Sequence, residues 1–322
     1  MGEFELIRRF FAAASCAQAG GEVALGIGDD CALLTVPAGE QLAVSTDTLV
    51  AGVHFPDPCD PSLLAQRALG VTASDLAAMG AAPIGFTLAL TLPQADAGWL
   101  AAFAEGLSQA AERHGLRLIG GDTTRGPLSL TLTVFGRVPG GVALRRSGAR
   151  PGDLLCVGGS LGDAAAALPL VLGQQQLPAE LAEPLLARYW QPQPQLALGQ
   201  ALRGLATAAL DISDGLLADA GHIAASSNVT LCIELACVPL SPALQQLSRE
   251  QALNCALSGG DDYRLLFTLP PEHLSTLQAQ WPELAVLGWV EAGCGEVRLL
   301  AEDGRELPQP VGGYQHFGQN RD

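Results

Sequence analysis

IGGDTTRGPLSLTLTVFG, residues 119–136, sets a glycine pair, an aspartate and two threonines just ahead of a run in which apolar and hydroxyl residues alternate. Leu128, Leu130, Leu132 and Val134 recur with the period of two that marks a half-buried strand. The GGDTT ahead of it follows a second apolar stretch, LRLI, read as another strand. An acidic glycine-flanked cluster between strands points to an α/β or α+β fold, because open sheets of that class bind ligands at strand ends.

The same grammar recurs along the chain. GIGDD (residues 26–30) sets Asp29 beside Asp30, STDT (45–48) ends an apolar strand, and TASD (72–75) sits in a helical stretch. DISDG (211–215) closes one strand and opens a helix, and SGGDD (258–262) precedes the strand RLLFTL. Aspartate offers hard oxygen on a short stem and Ser or Thr adds neutral oxygen, a mixture suited to Mg²⁺ shared with phosphates. Each cluster also has an ordinary reading: Asp caps helices, and GGD and DD make turns.

Outward from these motifs, QLAVSTDTLV and IGFTLALTLP read as strands, and Ser62 to Met79 and Trp99 to His114 as helices. Phe4, Ile7, Phe10 and Phe11 fall at helical spacing and predict an amphipathic first helix. The Gly/Pro-marked SGARPGD, residues 147–153, followed by the new strand DLLCVGG, divides the chain into domains of residues 1–148 and 149–322.

Composition excludes several classes of function. All 17 basic residues are arginine, and a chain without lysine has neither a Walker loop nor a protein-kinase lysine nor Schiff-base chemistry. A net charge of −16 argues against nucleic acid or an anionic membrane as partner. The eight cysteines form no C-x-x-C, which fits a reducing compartment better than zinc. No apolar run approaches the roughly 20 residues of a membrane helix, and a cytoplasmic location is the expectation.

VSTDTLVAGVHF, SDLAAMGAAP, IGGDTTRGPLSLTLTVFG, RSGARPGD, DISDGL and SGGDDYRLLFT, in this order, resemble the thiamine-monophosphate kinase family. Its superfamily includes aminoimidazole-ribonucleotide synthetase and selenophosphate synthetase. The resemblance runs from GEFELI near the start to GGYQHF near the end. It implies a two-domain fold like that of aminoimidazole-ribonucleotide synthetase, in a homodimer whose N-terminal domains pair their sheets into a β-barrel. The C-terminal α/β domain would complete the active site.

The activity implied is transfer of the ATP γ-phosphate to thiamine monophosphate, with several Mg²⁺ ions. Implied metal ligands are Asp30, Ser45, Thr46, Asp47, Asp75, Asp122, Asp211 and Asp214. Implied nucleotide contacts are Gly121, Asp122, Arg146 and Ser213, and implied substrate contacts are His54, Asp261 and Tyr314. Asp211, Asp214 and Arg146 would act at the transfer itself. The family usually carries Glu where Asp261 stands and Asn where Thr72 stands. Two other readings remain at this point: another ATP-dependent enzyme of the superfamily, or a non-catalytic protein that binds divalent cations. Selenophosphate synthetase is disfavoured, since it needs a lysine.

Overall fold

The computed structural model describes residues 2–308. The chain divides into two compact units, Met1–Ala143 with Trp190–Arg203, and Leu144–Tyr189 with Gly204–Asp322. The break read at 148 and 149 lies a few residues beyond the first crossing, and the composition shift there carried no sign that Trp190–Arg203 returns to the first unit.

The first unit opens with a helical turn, α1 (Glu3–Leu6), continued by a π-helical segment, Ile7–Phe11. Leu6, Phe10 and Phe11 are buried, so the apolar spacing marks a packed face as expected, on a segment wound wider than an α-helix. A short hairpin, β1 (Val23–Leu25) and β2 (Leu33–Leu34), brackets the GIGDD loop. Then come β3 (Glu40–Val50), α2 (Pro61–Ala78), β4 (Ala82–Leu92), α3 (Ala97–His114), β5 (Leu118–Arg125) and β6 (Ser129–Pro139). The four long strands form one sheet in the order β3-β6-β4-β5, antiparallel except for the β4–β5 pair.

The alternation in residues 128–134 survives in the fold. Leu130, Leu132 and Val134 are fully buried under the helices, while Thr131 and Thr133 face the other side and bond across the pair to Thr48 and Thr46, each at 2.9 Å. Two cluster placements differ from the reading at strand ends. Ser45–Thr48 lie inside β3, and Gly120–Thr124 lie inside β5. Gly121 makes the second possible: at φ 148° a Cβ there would stand 1.9 Å from the Leu88 carbonyl oxygen, so only glycine lets β5 lie this close to β4.

Asp60 starts α2 by accepting the amide hydrogens of Ser62 (2.8 Å) and Leu63 (3.1 Å), with Pro61 in the first turn. A returning helix, α6 (Leu196–Leu202), lies against α2 so closely that a Cβ on Gly199 would meet the Ala77 carbonyl oxygen at 2.1 Å. Leu198 and Leu202 are buried there.

His114, in the last turn of α3, is 6% exposed and its Nε2 has no hydrogen-bond partner. Burial, reinforced by Arg113, pushes its pKa down to about 4 from an ordinary 6.5. A depressed folded pKa gives stability that is present above the unfolded value and lost as pH falls through the folded one. Acidification from 6.5 toward 4 therefore removes up to about 3 kcal/mol. His114→Gln takes this term away, so the stability difference between parent and variant should shrink by roughly that amount between pH 7.5 and 4.5 in urea titrations. A difference that stays constant over that range would refute the assignment.

The second unit carries a seven-stranded sheet in the order β13-β12-β9-β11-β7-β10-β8. Its strands are β7 (Leu154–Val157), β8 (Ala208–Asp211), β9 (Val229–Glu234), β10 (Leu265–Leu269), β11 (Ala285–Ala292), β12 (Glu296–Leu300) and β13 (Glu306–Leu307). Only β12 and β9 pair in parallel. Helices α4 (Asp163–Val171), α5 (Ala179–Trp190), α7 (Leu216–Ser227), α8 (Arg249–Ser258) and α9 (Leu274–Gln280) complete the alternation of elements. The strands read from DLLCVGG, ALDISD, VTLCIEL, RLLFTL and LAVLGWV are all present. Among the described residues no helix is long and apolar enough to cross a membrane.

Candidate active site

In the first unit the expected metal residues gather on β3 and α2. Because strand side chains alternate, Ser45 and Asp47 face the helix-covered side of the sheet, where the Ser45 hydroxyl donates to Asp75 Oδ2 on α2. Asp47 lies near enough to Asp75 for the two charges to repel. Burial first, then that repulsion, pushes the Asp47 carboxyl from 3.8 to about 6, against the opposing effect of the Thr72 hydroxyl beside it. Two carboxylates and two hydroxyls in a partly dry corner, with no basic side chain among the causes of the shift, form a hard-oxygen set short of positive charge. That donor set fits Mg²⁺.

Other expected residues of this unit stand elsewhere. Thr46 points to the opposite face, where its hydroxyl is held by Thr133 at 2.9 Å, so its side chain does not join Asp47. Asp29 and Asp30 are exposed in the β1–β2 loop, where Asp29 Oδ1 accepts the Asp30 amide hydrogen at 2.9 Å and shapes the turn. Asp122 is exposed on β5, with its Oδ1 taking the Thr123 amide hydrogen at 2.9 Å. β3 and β5 are the two edges of the sheet. Three strand spacings of ~4.8 Å therefore separate Asp122 from Asp47 by about 14 Å. His54 Nδ1 accepts the Val50 amide hydrogen at 2.9 Å, which closes the turn after β3 and leaves the proton on Nε2.

In the second unit two motif loops run side by side. Asp211, 8% exposed, ends β8. Beyond it the Ser213 carbonyl accepts the Asp261 amide hydrogen (2.9 Å) and the Ile212 carbonyl accepts that of Tyr263 (2.8 Å). Asp261 and Tyr263 hold φ of 70° and 49°, a region that non-glycine residues rarely occupy and that clusters at functional sites. The Tyr263 hydroxyl donates to Asp261 Oδ1 at 2.9 Å and so aims the carboxylate. Between them Asp262 takes the Gly162 amide hydrogen on both oxygens, at 2.8 and 3.0 Å, and its loss of hydration raises its pKa well above the usual range.

Arg146 is exposed. Its carbonyl accepts the Ser227 hydroxyl at 3.2 Å, and the same Ser227 oxygen accepts the Gly148 and Ala149 amide hydrogens at 3.1 Å, which fixes the segment while leaving the guanidinium at the surface. Tyr314 lies outside the described residues.

Two residues of these sites were not anticipated as members. Asp219 in α7 is 3% exposed, and its Oδ2 accepts the amide hydrogens of Ser213, Asp214 and Gly215. Burial pushes its carboxyl up to about 6. His222, exposed on the same helix, lies with Asp214 and Asp219 so that one ligand atom from each falls within 4.8 Å of the others. Their only trace in the sequence is the spacing 219 and 222, which shares a helix face.

Comparison with known proteins gives this arrangement a family. Residues 28–138 match the family described as AIR synthase related protein, N-terminal domain, and residues 150–300 match AIR synthase related protein, C-terminal domain. The chain is 47% identical to thiamine-monophosphate kinase of Escherichia coli K12 over 322 residues, covering 98% of each. In structure it is similar to thiamine-monophosphate kinase from Stenotrophomonas maltophilia K279a, with a TM-score of 0.82 and 46% identity over 89% of this chain and 92% of that one. It is also similar to AaThiL complexed with AMPPCP and TMP, with a TM-score of 0.77 and 30% identity over 88% and 89% of the two chains. On the matched domains and the full-length identity together, the chain belongs to the thiamine-monophosphate kinase family.

Proposed function

We propose that this chain transfers the γ-phosphate of ATP to thiamine monophosphate, giving thiamine diphosphate and ADP. The observation that carries the reading is the Ser45–Asp47–Thr72–Asp75 corner, where carboxylates repel in a partly dry setting and a divalent cation would relieve them. A relative at 30% identity has been crystallised with AMPPCP and TMP, which supports the same pair of substrates here.

The acceptor asks little of the protein. A phosphate monoester has its second pKa near ~6, so at neutral pH its oxygen is already mostly deprotonated and needs no general base. Charge neutralisation and in-line positioning are what remain. Ser45, Asp47 and Asp75 would hold Mg²⁺ with Asp30, and Asp122, Asp211 and Asp214 would hold further ions; Thr46 would contribute only through its backbone. When bound, the ions would neutralise phosphate oxygens. The surface guanidinium of Arg146 supplies a planar fork for phosphate, taking the place of the lysine this chain lacks. Ser213 offers a hydroxyl to the nucleotide, Gly121 allows close backbone approach, and His54 offers its Nε2–H to the substrate. Asp261 faces the substrate on the shorter stem, and Tyr314 would stack on the cationic rings.

The working unit is proposed to be a homodimer. The face of the first unit's sheet away from α2 and α3 carries Thr46, Thr48, Thr131 and Thr133, with Leu42 44% and Val44 54% exposed. Among the described residues, neither edge strand, β3 or β5, has a neighbour on its outer side. Oxygens bound to one Mg²⁺ lie within about 4 Å of one another, so Asp47 and Asp122 of one chain are too far apart to share an ion. A second copy that sets its β5 beside β3 would close the sheet into a barrel and bring Asp122 of one copy to the strand that carries Asp47 of the other. All eight cysteines are free thiols, which supports a cytoplasmic setting.

Incubation with ATP, Mg²⁺ and thiamine monophosphate should yield thiamine diphosphate and ADP in equal amounts. Orthophosphate as the product, or free thiamine as the better acceptor, would show the reading to be wrong.

A further inference from the structure

We propose that Asp219 is a positioning residue for Asp214 and Ser213, acting by filling with its own carboxylate the amide nest of the Ser213–Gly215 turn. Its Oδ2 accepts three successive backbone N–H groups, from Ser213 at 3.0 Å, Asp214 at 2.9 Å and Gly215 at 3.2 Å. Consecutive amides aimed at one point, at the start of a helix, are an arrangement that binds phosphate in other proteins. Here the point is occupied from inside. Gly215, which precedes α7, has no side chain to cap the helix. Asp219 supplies the missing acceptor from the next turn, 3% exposed, where bonds to an ionised oxygen are strong.

The turn is thus gripped on both sides. Its amides are held by Asp219, while the carbonyls of Ile212 and Ser213 are held by the amides of Tyr263 and Asp261. Such a turn has no amide left for a phosphate and meets its ligands only with the Ser213 and Asp214 side chains. The Asp214 and His222 side chains are the charged or titratable groups that approach Asp219 most closely. The role given to Asp214 rests on the kinase reading; the grip on the turn does not.

Asp219→Ala removes the acceptor. In the metal-free protein, hydrogen exchange at the amides of residues 213–215 should then rise at least tenfold while β9 stays protected. The KM for Mg·ATP with thiamine monophosphate as acceptor should rise tenfold or more, with kcat changed less. Asp219→Asn, which keeps one neutral acceptor, should fall between parent and Ala on both readouts, and it decides the matter if the Ala variant does not fold. Combined with Asp214→Asn, either change should add less than it costs alone, since part of each loss runs through Asp214. Unchanged exchange at 213–215, or losses that multiply in the double variant, would overturn the proposal. A parent that fails to phosphorylate thiamine monophosphate would sink the kinase reading alone, and the exchange measurement would still decide whether Asp219 holds the turn.

Discussion

Replacing Asp47 by Asn is expected to raise the melting temperature of the metal-free protein while lowering turnover at least about a hundredfold. The sign follows from the direction of its shift. Asp47 has a folded pKa near 6 against 3.8 for the free group, so the stability it gives is fully present below pH 3.8 and is lost as pH rises through 6. At pH 8 the ionised carboxylate therefore works against the metal-free fold by about 2–3 kcal/mol. Asn removes that penalty, and the gain should vanish below about pH 4. Saturating Mg²⁺ should reverse the order, since the parent gains a bound ion and the variant loses a ligand. Melting curves with EDTA and with Mg²⁺, set beside turnover across a Mg²⁺ series, check both halves. A variant that melts like the parent without metal and turns over at its rate would remove Asp47 from the metal corner.

Mixing two inactive proteins should restore activity. In the proposed homodimer, Asp47→Asn and Asp122→Asn would each remove one ligand from every site. If one active site takes Asp47 on β3 from one copy and Asp122 on β5 from the other, subunit exchange produces heterodimers in which one site has both aspartates intact and the other has neither. Random exchange makes half of the dimers mixed, each with one of two sites working, so about a quarter of parental activity should return. Complementation depends on contact between chains and should disappear when exchange is blocked by low temperature. Failure to complement after exchange, verified by mass spectrometry of tagged subunits, would assign both aspartates to the active site of a single chain.

The parts of this fold that were legible in the sequence are those that leave a period or a local signal. Leu130, Leu132 and Val134 announce a strand because burial repeats every second residue, and DISDG announces a strand-to-helix passage because the turn chemistry is local. Sheet order is not local. Nothing in STDTLV or GGDTT says that their strands are the two edges of one sheet, so the distance between Asp47 and Asp122 needed the register. Asp219 went unread for a different reason: its partners are three backbone amides, which have no letter of their own. Nothing in the Pro/Gln-rich stretch QPQPQ, residues 191–195, announces that it leads into a helix packed against α2.

That returning helix sets an order of assembly. Ala77 and its neighbours at the C-terminal end of α2 are covered by α6, and α6 is made only after the whole of Leu144–Tyr189 has been translated. The first unit therefore cannot finish folding while the ribosome is still making the start of the second. A fragment cut at residue 148 would leave the end of α2 around Ala77 without the helix that covers it, so the two halves are not expected to fold as independent, successive domains.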